Sequence, residues 1–527
     1  MKKLYFGGSI LTMEKEASAE ALLTEDGRIR MTGSKEALMA AARDAELVNL
    51  DGAALLPAFI DPHSHFSQVA SGLLQVSLDG AVSYAEIKKR ISAFVERSGC
   101  PKGGWLMARD YDHNLLEGHR NLTLDQLDDL APEYAVAIQH KSGHMGLFNS
   151  LALTFLGVTV DTPAPEGGRI GLEDGRLTGY MEENAYFTYM RKIPMPSMAE
   201  LGKAYCRAQE LYASYGIATL QEGMLVEQML PLYDMLLREK ILKLDLVAYP
   251  ERACFEKAYQ TFPESAGHYS DHIRLGGLKI FLDGSPQGRT AWVRTPYLGG
   301  APDDRGYGTM KDEEVREAFV LAARKGVQPL AHCNGDAAAA QMIRCLAEEE
   351  KKYPALKDLK PVMIHAQLLG IDQIPEAVQL GIIASFFVAH VWHWGDVHIR
   401  NLGLERASRI SPAASALKLG LPFTFHQDAP VIAPDMLETI WCAVNRRTRG
   451  GVLLGAEERI PVMEALKAVT INAAYQYSEE NEKGSLRAGK QADMVILDKN
   501  PLEAAPDELR NIKVLRTIKS GETVYQG

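Results

Sequence analysis

The sequence has few cysteines, and they are not arranged for pairing. There are six in 527 residues, and no two stand in a C-x-x-C spacing. They are Cys100, Cys206, Cys254, Cys333, Cys345 and Cys442. A disulfide framework typical of small secreted domains is therefore not expected, and a reducing, cytoplasmic location is predicted.

The chain also lacks a block of Lys and Arg residues and any long apolar run. Its net charge is −11, which argues against nucleic acid or an anionic membrane as the main partner. No segment has the roughly 20 apolar residues of a membrane-spanning helix. The N-terminal MKKLYFGGSILTMEKE is interrupted by glycines and then by charges, so it predicts a strand and a turn rather than a signal peptide. We expect a small-molecule partner and allow for a homodimer.

Strand-like and helix-like segments alternate through the middle of the chain, whereas both ends consist of short strand-like runs. Eight middle segments have strand character: LLPAFID, GIATLQEGM, KLDLVAYP, IRLGGLKIFLDGS, VQPLAHCNGD, PVMIHAQ, IIASFFVAH and LPFTFHQDAP. Eight strands alternating with helices predict an α/β fold, specifically a (β/α)8 TIM barrel over residues 57–477. The two ends, 1–56 and 478–527, are predicted to meet in one composite β-sandwich domain.

A long stretch separates the first predicted strand from its helix. Loops between a strand and the next helix usually have two to six residues, so residues 67–195 are predicted to be an insertion. Active sites of such barrels lie at the carboxyl ends of the strands. The insertion is therefore expected to cap that face.

Two histidines at spacing two follow the first predicted strand, in LLPAFIDPHSHF. On extended backbone His63 and His65 would point the same way. Taken alone, the pair could be polar residues that merely follow a strand, because short motifs are weak evidence.

Further ionisable residues stand in or after four of the other strands. They are Lys279, His332, His365 and Asp428. Each has an ordinary explanation: a lysine extending to solvent, two hydrogen-bonded core histidines and an aspartate capping a turn. These explanations would have to hold independently on several strands, so their common placement favours a metal site.

The chemistry of these residues suits a hydrolase. Four imidazoles and a carboxylate match Zn²⁺ or a similar ion. A lysine carboxylated by CO₂ could bridge two ions, and ions about 3.5–4 Å apart can hold a hydroxide and polarise a carbonyl. Asp428 could take the proton of the water and pass it to a leaving amine.

The chain resembles the amidohydrolase superfamily, in particular the amidohydrolase-3 (YtcJ-like) branch that includes N-substituted formamide deformylases. The resemblance covers nearly the whole chain and is carried by LLPAFIDPHSHF, KSGHMGLFNSLAL, GLKIFLDGSPQGRTA, AHCNGDAAAAQMI, PVMIHAQ, FHQDAP and EKGSLRAGKQADMVILDKNP. It implies one metal ion on His63, His65 and Asp428 and another on His332 and His365, with Lys279 as the bridge, and it implies that Asp428 is catalytic.

The resemblance also implies that His144 and Arg289 face the substrate. From the residues alone, His144 could be a solvated loop histidine and Arg289 could pair with an acid. The cluster HVWHWGDVH after the seventh strand, with His390 and Trp392, is interpreted as substrate wall. Two departures from the family pattern, Ile364 and Gln427, stand where the family usually has an acid and a small residue.

Three functions are carried forward. The first is a metal-dependent hydrolase of a non-peptide C–N bond, such as an N-formyl or N-acyl amide. The second is a deaminase of a nucleobase-like ring in the same superfamily; the sequence HCNGD and Lys279 speak against it. The third is a non-catalytic binding protein on an inactive barrel, which would have no need of the complete set of ligand types.

Overall fold

The computed structural model describes residues 1–98 and 101–527. Cys100, one of the scattered cysteines, lies outside the described residues, and the five described cysteines are free thiols. The chain divides into two units, Met1–Ser67 with Ala208–Gly527, and Gln68–Arg207. The predicted insertion, 67–195, covers most of the second unit.

Within the described ranges the chain forms 23 strands. In chain order they are β1 (Lys2–Leu11), β2 (Ser18–Glu25), β3 (Arg28–Gly33), β4 (Glu46–Asn49), β5 (Ala54–Pro57), β6 (Phe59–Ile60), β7 (Val76–Ser77), β8 (Trp105–Tyr111), β9 (Ala135–His140), β10 (Met145–Phe148), β11 (Gly168–Glu173), β12 (Arg176–Glu183), β13 (Ile217–Leu225), β14 (Asp245–Pro250), β15 (Ile273–Leu275), β16 (Gly277–Phe281), β17 (Gln328–Cys333), β18 (Val362–His365), β19 (Ile383–Phe386), β20 (Phe423–Phe425), β21 (Met494–Leu497), β22 (Val514–Lys519) and β23 (Glu522–Gln526).

The same ranges hold 18 α-helices. They are α1 (Lys35–Ala41), α2 (Phe66–Gly72), α3 (Tyr84–Ser98), α4 (Leu124–Leu130), α5 (Ser150–Phe155), α6 (Asn184–Met190), α7 (Met198–Ser214), α8 (Leu230–Arg238), α9 (Phe255–Thr261), α10 (Asp312–Lys325), α11 (Asp336–Glu350), α12 (Ile374–Gln379), α13 (His390–Leu402), α14 (Leu404–Ala407), α15 (Ala413–Leu419), α16 (Met436–Asn445), α17 (Val462–Ala468) and α18 (Ile471–Gln476). Short 3-10 helices are His113–Leu115, Glu117–His119, Glu227–Met229, Pro263–Ser265, Pro354–Leu359, Ile371–Gln373, Ala456–Glu458 and Pro506–Asn511. No helix in the described residues is long and apolar enough to cross a bilayer.

The strands at the two ends of the chain share one sheet, in the order β23-β22-β21-β5-β1-β2-β3, with β4 also paired to β1. Strand β5 joins the ends, because it pairs in parallel with β1 and antiparallel with β21. One buried apolar cluster takes residues from both ends, including Ile10, Leu55 and Met494. Burial of this shared face holds the N- and C-terminal strands together.

The middle of the first unit contains two parallel sheets, β15-β14-β13-β6 and β16-β17-β18-β19-β20. Helices follow most of these strands, so the predicted α/β class is confirmed. One buried cluster takes Ile60, Val247, Leu330, Ile364 and Ile383 from five of the strands. Closure of the two sheets into a (β/α)8 barrel stays a prediction.

Two predicted strands are each divided in the structure. LLPAFID becomes β5 and β6: Ala58 donates its N–H to Asp493 in the terminal sheet, while Phe59 donates to Gly216 beside the parallel sheet. IRLGGLKIF becomes β15 and β16, separated at Gly276. A Cβ at Gly276 would lie 2.6 Å from the Val247 side chain, so only glycine allows the backbone to pass so close.

The second unit is built on a six-stranded sheet, β11-β12-β10-β9-β8-β7. Strands β7, β8 and β9 are parallel, whereas β10, β11 and β12 continue the sheet antiparallel. Along β9, Val136 and Ile138 face one buried cluster and Ala135 and Ala137 face another. This period of two shows that the sheet is covered on both faces.

Candidate metal centre

The six predicted ligand residues all belong to the first unit and lie in or after strands of its parallel sheets. His63 and His65 follow β6, Lys279 lies in β16, His332 in β17, His365 ends β18, and Asp428 follows β20. His63, Lys279 and His365 are buried. Parallel strands present their carboxyl ends at the same edge, which explains how residues so far apart in sequence come together.

Asp428 lies between the two histidines of the H-x-H pair. Its Oδ1 is 3.4 Å from His63 Nε2 and 3.3 Å from His65 Nε2. Two donor atoms that each lie about 2.0–2.1 Å from a tetrahedral ion are separated by about 3.3 Å. These three side chains therefore have the spacing of ligands around one cation.

The protonation of His63 is fixed by Gln221. Gln221 donates its amide Nε2 to the Pro62 carbonyl at 2.7 Å and to the Tyr477 hydroxyl at 3.0 Å. Its Oε1 must then face His63 Nδ1, 2.6 Å away, as an acceptor. His63 Nδ1 carries the proton, and Nε2 keeps its lone pair for a cation.

His332 and His365 form a second pair, with Nδ1 of His332 3.1 Å from Nε2 of His365. His332 Nε2 lies 3.2 Å from the Gly284 carbonyl and 3.1 Å from Asn334 Nδ2, which itself donates to that carbonyl at 2.8 Å. The facing nitrogens of His332 and His365 are so close that a proton or a cation must lie between them. The spacing again suits two ligands of one ion.

His426 supports His365 from behind. His365 Nδ1 lies 3.1 Å from His426 Nε2, and His426 Nδ1 lies 2.9 Å from Ser385 Oγ. If His365 binds an ion through Nε2, its Nδ1–H donates to His426, which in turn donates to Ser385. Metal-ligating histidines usually have such a partner on the other nitrogen.

Sequence reasoning did not assign roles to Gln221, Glu222, Ser385 and His426. All four side chains are fully buried. Gln221 and Glu222 stand in GIATLQEGM and His426 in FHQDAP, so a polar residue inside an apolar strand was the available signal.

Burial controls the charge state of most of these histidines. It lowers the pKa of His332 to about 4 and of His426 to about 3, and it holds the pKa values of His63 and His365 well below the usual range. Burial also acts to lower the pKa of His65, but Asp428 and Glu222 outweigh it and raise that pKa to about 9. Neutral imidazole is the form that binds metals.

Lys279 is buried without a hydrogen-bond partner for its Nζ among the described residues. Its Nζ lies 5.0 Å from the centre of the Phe281 ring. Burial lowers the pKa of Lys279 to about 7, although the charge of Asp428 opposes the change. A large fraction of this amine is therefore uncharged near neutral pH.

Two of the ligand residues have left-handed backbone, which is rare outside glycine. The φ angles are 73° at His365 and 54° at Asp428. Such conformations are unfavourable; they occur in turns and also at functional sites, where the surroundings enforce them. Here they fall at the last residue of β18 and three residues after β20.

Arg289 and His144 make ordinary protein contacts. Arg289 donates to the Leu298 carbonyl, and its Nε lies 3.7 Å from Asp304. His144 belongs to the second unit; its side chain is 60% exposed, and its Nδ1 lies 3.2 Å from Glu183 Oε2. Their predicted roles toward the substrate stay predictions.

His390 and Trp392 both lie in the first turn of α13. His390 is buried, with its ring centre 4.6 Å from that of Phe387 and its Nδ1 3.0 Å from His398 Nε2. Phe387 in turn lies 5.3 Å from the His426 ring. The Trp392 ring packs against Trp441 and the Arg510 guanidinium, which favours a packing role for Trp392. The predicted substrate wall stays a prediction.

The donor set fits a divalent ion of the zinc class. His63, His365 and Asp428 each offer one atom within 4.8 Å of the others. The imidazoles of His63, His332 and His365, held neutral by burial, and the Asp428 carboxylate, whose pKa stays well below the usual range despite its burial, are the forms that such an ion requires. His65, with its raised pKa, would lose its proton when the ion binds. Four nitrogen donors and one carboxylate exclude a pure oxygen site of the Mg²⁺ or Ca²⁺ type.

Known protein families and proteins resemble this chain over nearly its whole length. The model of the Amidohydrolase family matches residues 46–525. The chain belongs to the amidohydrolase family. It is 28% identical to the putative amidohydrolase YtcJ of Bacillus subtilis (strain 168), over 100% of both chains. It is 27% identical to the N-substituted formamide deformylase of Arthrobacter pascens, over 97% of this chain and 96% of that one.

A solved structure shares the fold of this amidohydrolase family member. An uncharacterized metal-dependent hydrolase from Pyrococcus furiosus superimposes with a TM-score of 0.77 at 23% identity, over 95% of this chain and 100% of that one. At this identity the likeness shows the fold alone.

Proposed function

We propose that this amidohydrolase family member is a metal-dependent hydrolase of a non-peptide C–N bond, with N-formyl or N-acyl amines as the substrate class. The observation that carries the proposal is the arrangement of Asp428 between His63 and His65, beside the facing nitrogens of His332 and His365. The similarity to a protein named as a formamide deformylase supports the N-formyl group as the first substrate to test.

Each ligand residue would have a defined role in binding the ions. His63, His65 and Asp428 would hold one divalent ion, and His332 and His365 a second, with Zn²⁺ as the first choice. Bound ions of this kind polarise a carbonyl and lower the pKa of water. A carbamate on Lys279 would supply the two oxygens of a bridge, which an amine cannot.

Asp428 would also carry the proton. While Oδ1 faces the ion, Oδ2, 4.0 Å from His365 Nε2, would accept a proton from the attacking water. The same oxygen would then return the proton to the amine nitrogen as the C–N bond breaks.

The test is a hydrolysis screen with the full-length, zinc-supplied protein. N-formyl and N-acetyl derivatives of aromatic and aliphatic amines are supplied, and release of formate or acetate is measured. His63→Ala should lose turnover, whereas His268→Ala, a change at an exposed histidine, should keep it. Ammonia released from amino-substituted rings would favour the deaminase instead. Bound metal without turnover of either class would contradict the proposal.

A further inference from the structure

The second unit has a parallel sheet of its own, and polar residues gather at the carboxyl end of its strands. Strands β8 and β9 run parallel, with Trp105 opposite Ala135 and Tyr111 opposite His140. Asp112 and His113 directly follow β8, and His140 ends β9. In open α/β sheets, ligands bind beyond the carboxyl ends of the strands.

The backbone of β8 is irregular just before this point. The pairing register with β9 shifts between Ala108 and Tyr111, and Asp110 has a φ of 64°. A bulge of this kind redirects the side chains that follow it and is common next to functional sites. Here it precedes Asp112 and His113 and places them beside His140.

Three side chains then converge on one point. His113 Nδ1 lies 3.3 Å from His140 Nε2, and that nitrogen lies 3.7 Å from Asp112 Oδ1. His140 is 8% exposed. Each residue offers one ligand atom within 4.8 Å of the other two. The separations resemble those of ligands around one tetrahedral ion, about 3.3 Å.

A proton or a cation must lie between the two facing nitrogens. Ser142 Oγ lies 2.9 Å from His140 Nδ1, so the hydroxyl can accept the ring proton and leave Nε2 with a bare lone pair toward His113, once the Ser142 backbone N–H, 3.0 Å from the same Nδ1, is directed elsewhere. A cation would then satisfy both imidazoles and the carboxylate.

From this geometry we propose that Asp112, His113 and His140 form a second divalent metal site of the zinc class, contained within the second unit. Three protein ligands leave a fourth position for water or a ligand. The competing arrangement needs no metal: the Ser142 backbone N–H, 3.0 Å from Nδ1, donates to His140, and His140 Nε2–H donates to His113.

The experiment counts ions and locates them. Metal-free full-length protein is dialysed against Zn²⁺, and bound zinc per chain is measured for the wild type and for the His113→Ala, His140→Ala and His119→Ala variants. The first two should each bind one ion fewer. His119 is exposed, and its Nδ1 lies 2.7 Å from the Asn114 carbonyl, away from the three proposed ligands, so His119→Ala should match the wild type.

A charge change gives a second measurement with little risk to folding. Asp112 Oδ1 caps the following turn by accepting from Asn114 N at 2.9 Å. Asp112→Asn keeps an acceptor there but removes the charge, so zinc affinity at this site should fall about tenfold or more.

Anomalous scattering from zinc-grown wild-type crystals locates the ion without any variant. A peak between His113 Nδ1 and His140 Nε2 is expected. If that peak is missing and the His113→Ala and His140→Ala variants bind as much zinc as the wild type, the metal-free hydrogen-bonded chain is correct and the proposal is overturned. His63→Ala should lose zinc from the other centre only, so its anomalous peak between His113 Nδ1 and His140 Nε2 should remain.

Discussion

Glu222 faces His65, and the facing atoms of both side chains lack a hydrogen-bond partner among the described residues. Glu222 Oε1 lies 3.8 Å from His65 Nδ1. The other carboxylate oxygen accepts from the Ser67 backbone N–H at 2.8 Å and from the Tyr233 hydroxyl at 3.0 Å. On its far side His65 faces Asp428. Glu222 thus stands behind His65 on the side away from the proposed ion. A carboxylate in this position orients a metal-binding histidine.

Glu222→Gln should weaken metal binding by about 10–100-fold, because partners of this kind fix the tautomer of a ligand histidine and raise its basicity. The measurement is competition for Zn²⁺ against a chelator of known affinity. Glu227→Gln is the control, since Glu227 is exposed and pairs with Lys257 at the surface. Equal zinc affinity in Glu222→Gln and the wild type would show that Glu222 does not orient His65.

His63→Ala should lower metal content and activity together. Ligand and catalyst are one unit here, so removing a donor removes the ion and the chemistry that depends on it. Elemental analysis after growth with added zinc gives the metal content, and His268→Ala serves as the control. If the wild-type protein binds no metal under these conditions, the proposed metal centre is wrong.

Lys279 should carry a carbamate on Nζ. Its amine has no partner among the described residues, and burial lowers its pKa to about 7, so the free amine that reacts with CO₂ is abundant at neutral pH and above. Carbamate formation, and turnover with it, should decline as pH falls below about 7, because the amine becomes protonated. Intact-protein mass and crystallographic density at Nζ check this.

Lys279→Ala tests the same idea chemically. The variant should lose turnover and regain part of it with added acetate or propionate, which are carboxylates small enough to enter the vacated space. The aliphatic control Lys279→Met should not be rescued, because its side chain fills that space. Unmodified density at Lys279 beside two fully occupied metal positions would refute the carbamate.

Much of the site could be predicted because it follows strand order. A histidine, lysine or aspartate in an apolar strand is conspicuous in sequence, and parallel strands collect such residues at one edge. The residues that hydrogen-bond to the ligand histidines were harder to predict. Gln221 and His426 gain their roles from neighbours distant in sequence: Gln221 lies 158 residues from His63, and His426 lies 61 residues from His365 and 41 from Ser385.

The boundaries between strands could not be predicted from sequence patterns either. Ala58 looks like the middle of one apolar run, yet Ala54–Pro57 and Phe59–Ile60 pair with different sheets. Hydrophobic periodicity is the same on both sides of Ala58, so only the choice of partner strand divides them. Gly276 gave a weak signal, since a glycine inside a strand often marks a close backbone approach.

A buried ion network joins the start of β14 to the C-terminal strands. Asp245 Oδ2 lies 2.5 Å from Lys483 Nζ and 2.6 Å from Lys519 Nζ, and all three side chains are buried. Burial acts to raise the pKa of Asp245, but the charges of Lys519 and Lys483 outweigh it and hold that pKa well below the usual range. The carboxylate is therefore ionised in the folded protein.

Asp245→Asn should lower the free energy of unfolding by about 3 kcal/mol near neutral pH, because two buried ammonium groups lose the carboxylate they share and keep only Glu479 at Lys483 and Asp493 at Lys519. The folded pKa of Asp245 lies below its unfolded value, about 3.9, so its contribution is present above about pH 4 and is lost as pH falls through the folded pKa. The difference from the wild type in urea unfolding should therefore shrink with acidification. Asp271→Asn, at a half-exposed aspartate 3.5 Å from Lys240, is the control and should change stability little. A deficit in Asp245→Asn that grew as the pH was lowered would show that the carboxylate is not held ionised by its lysines.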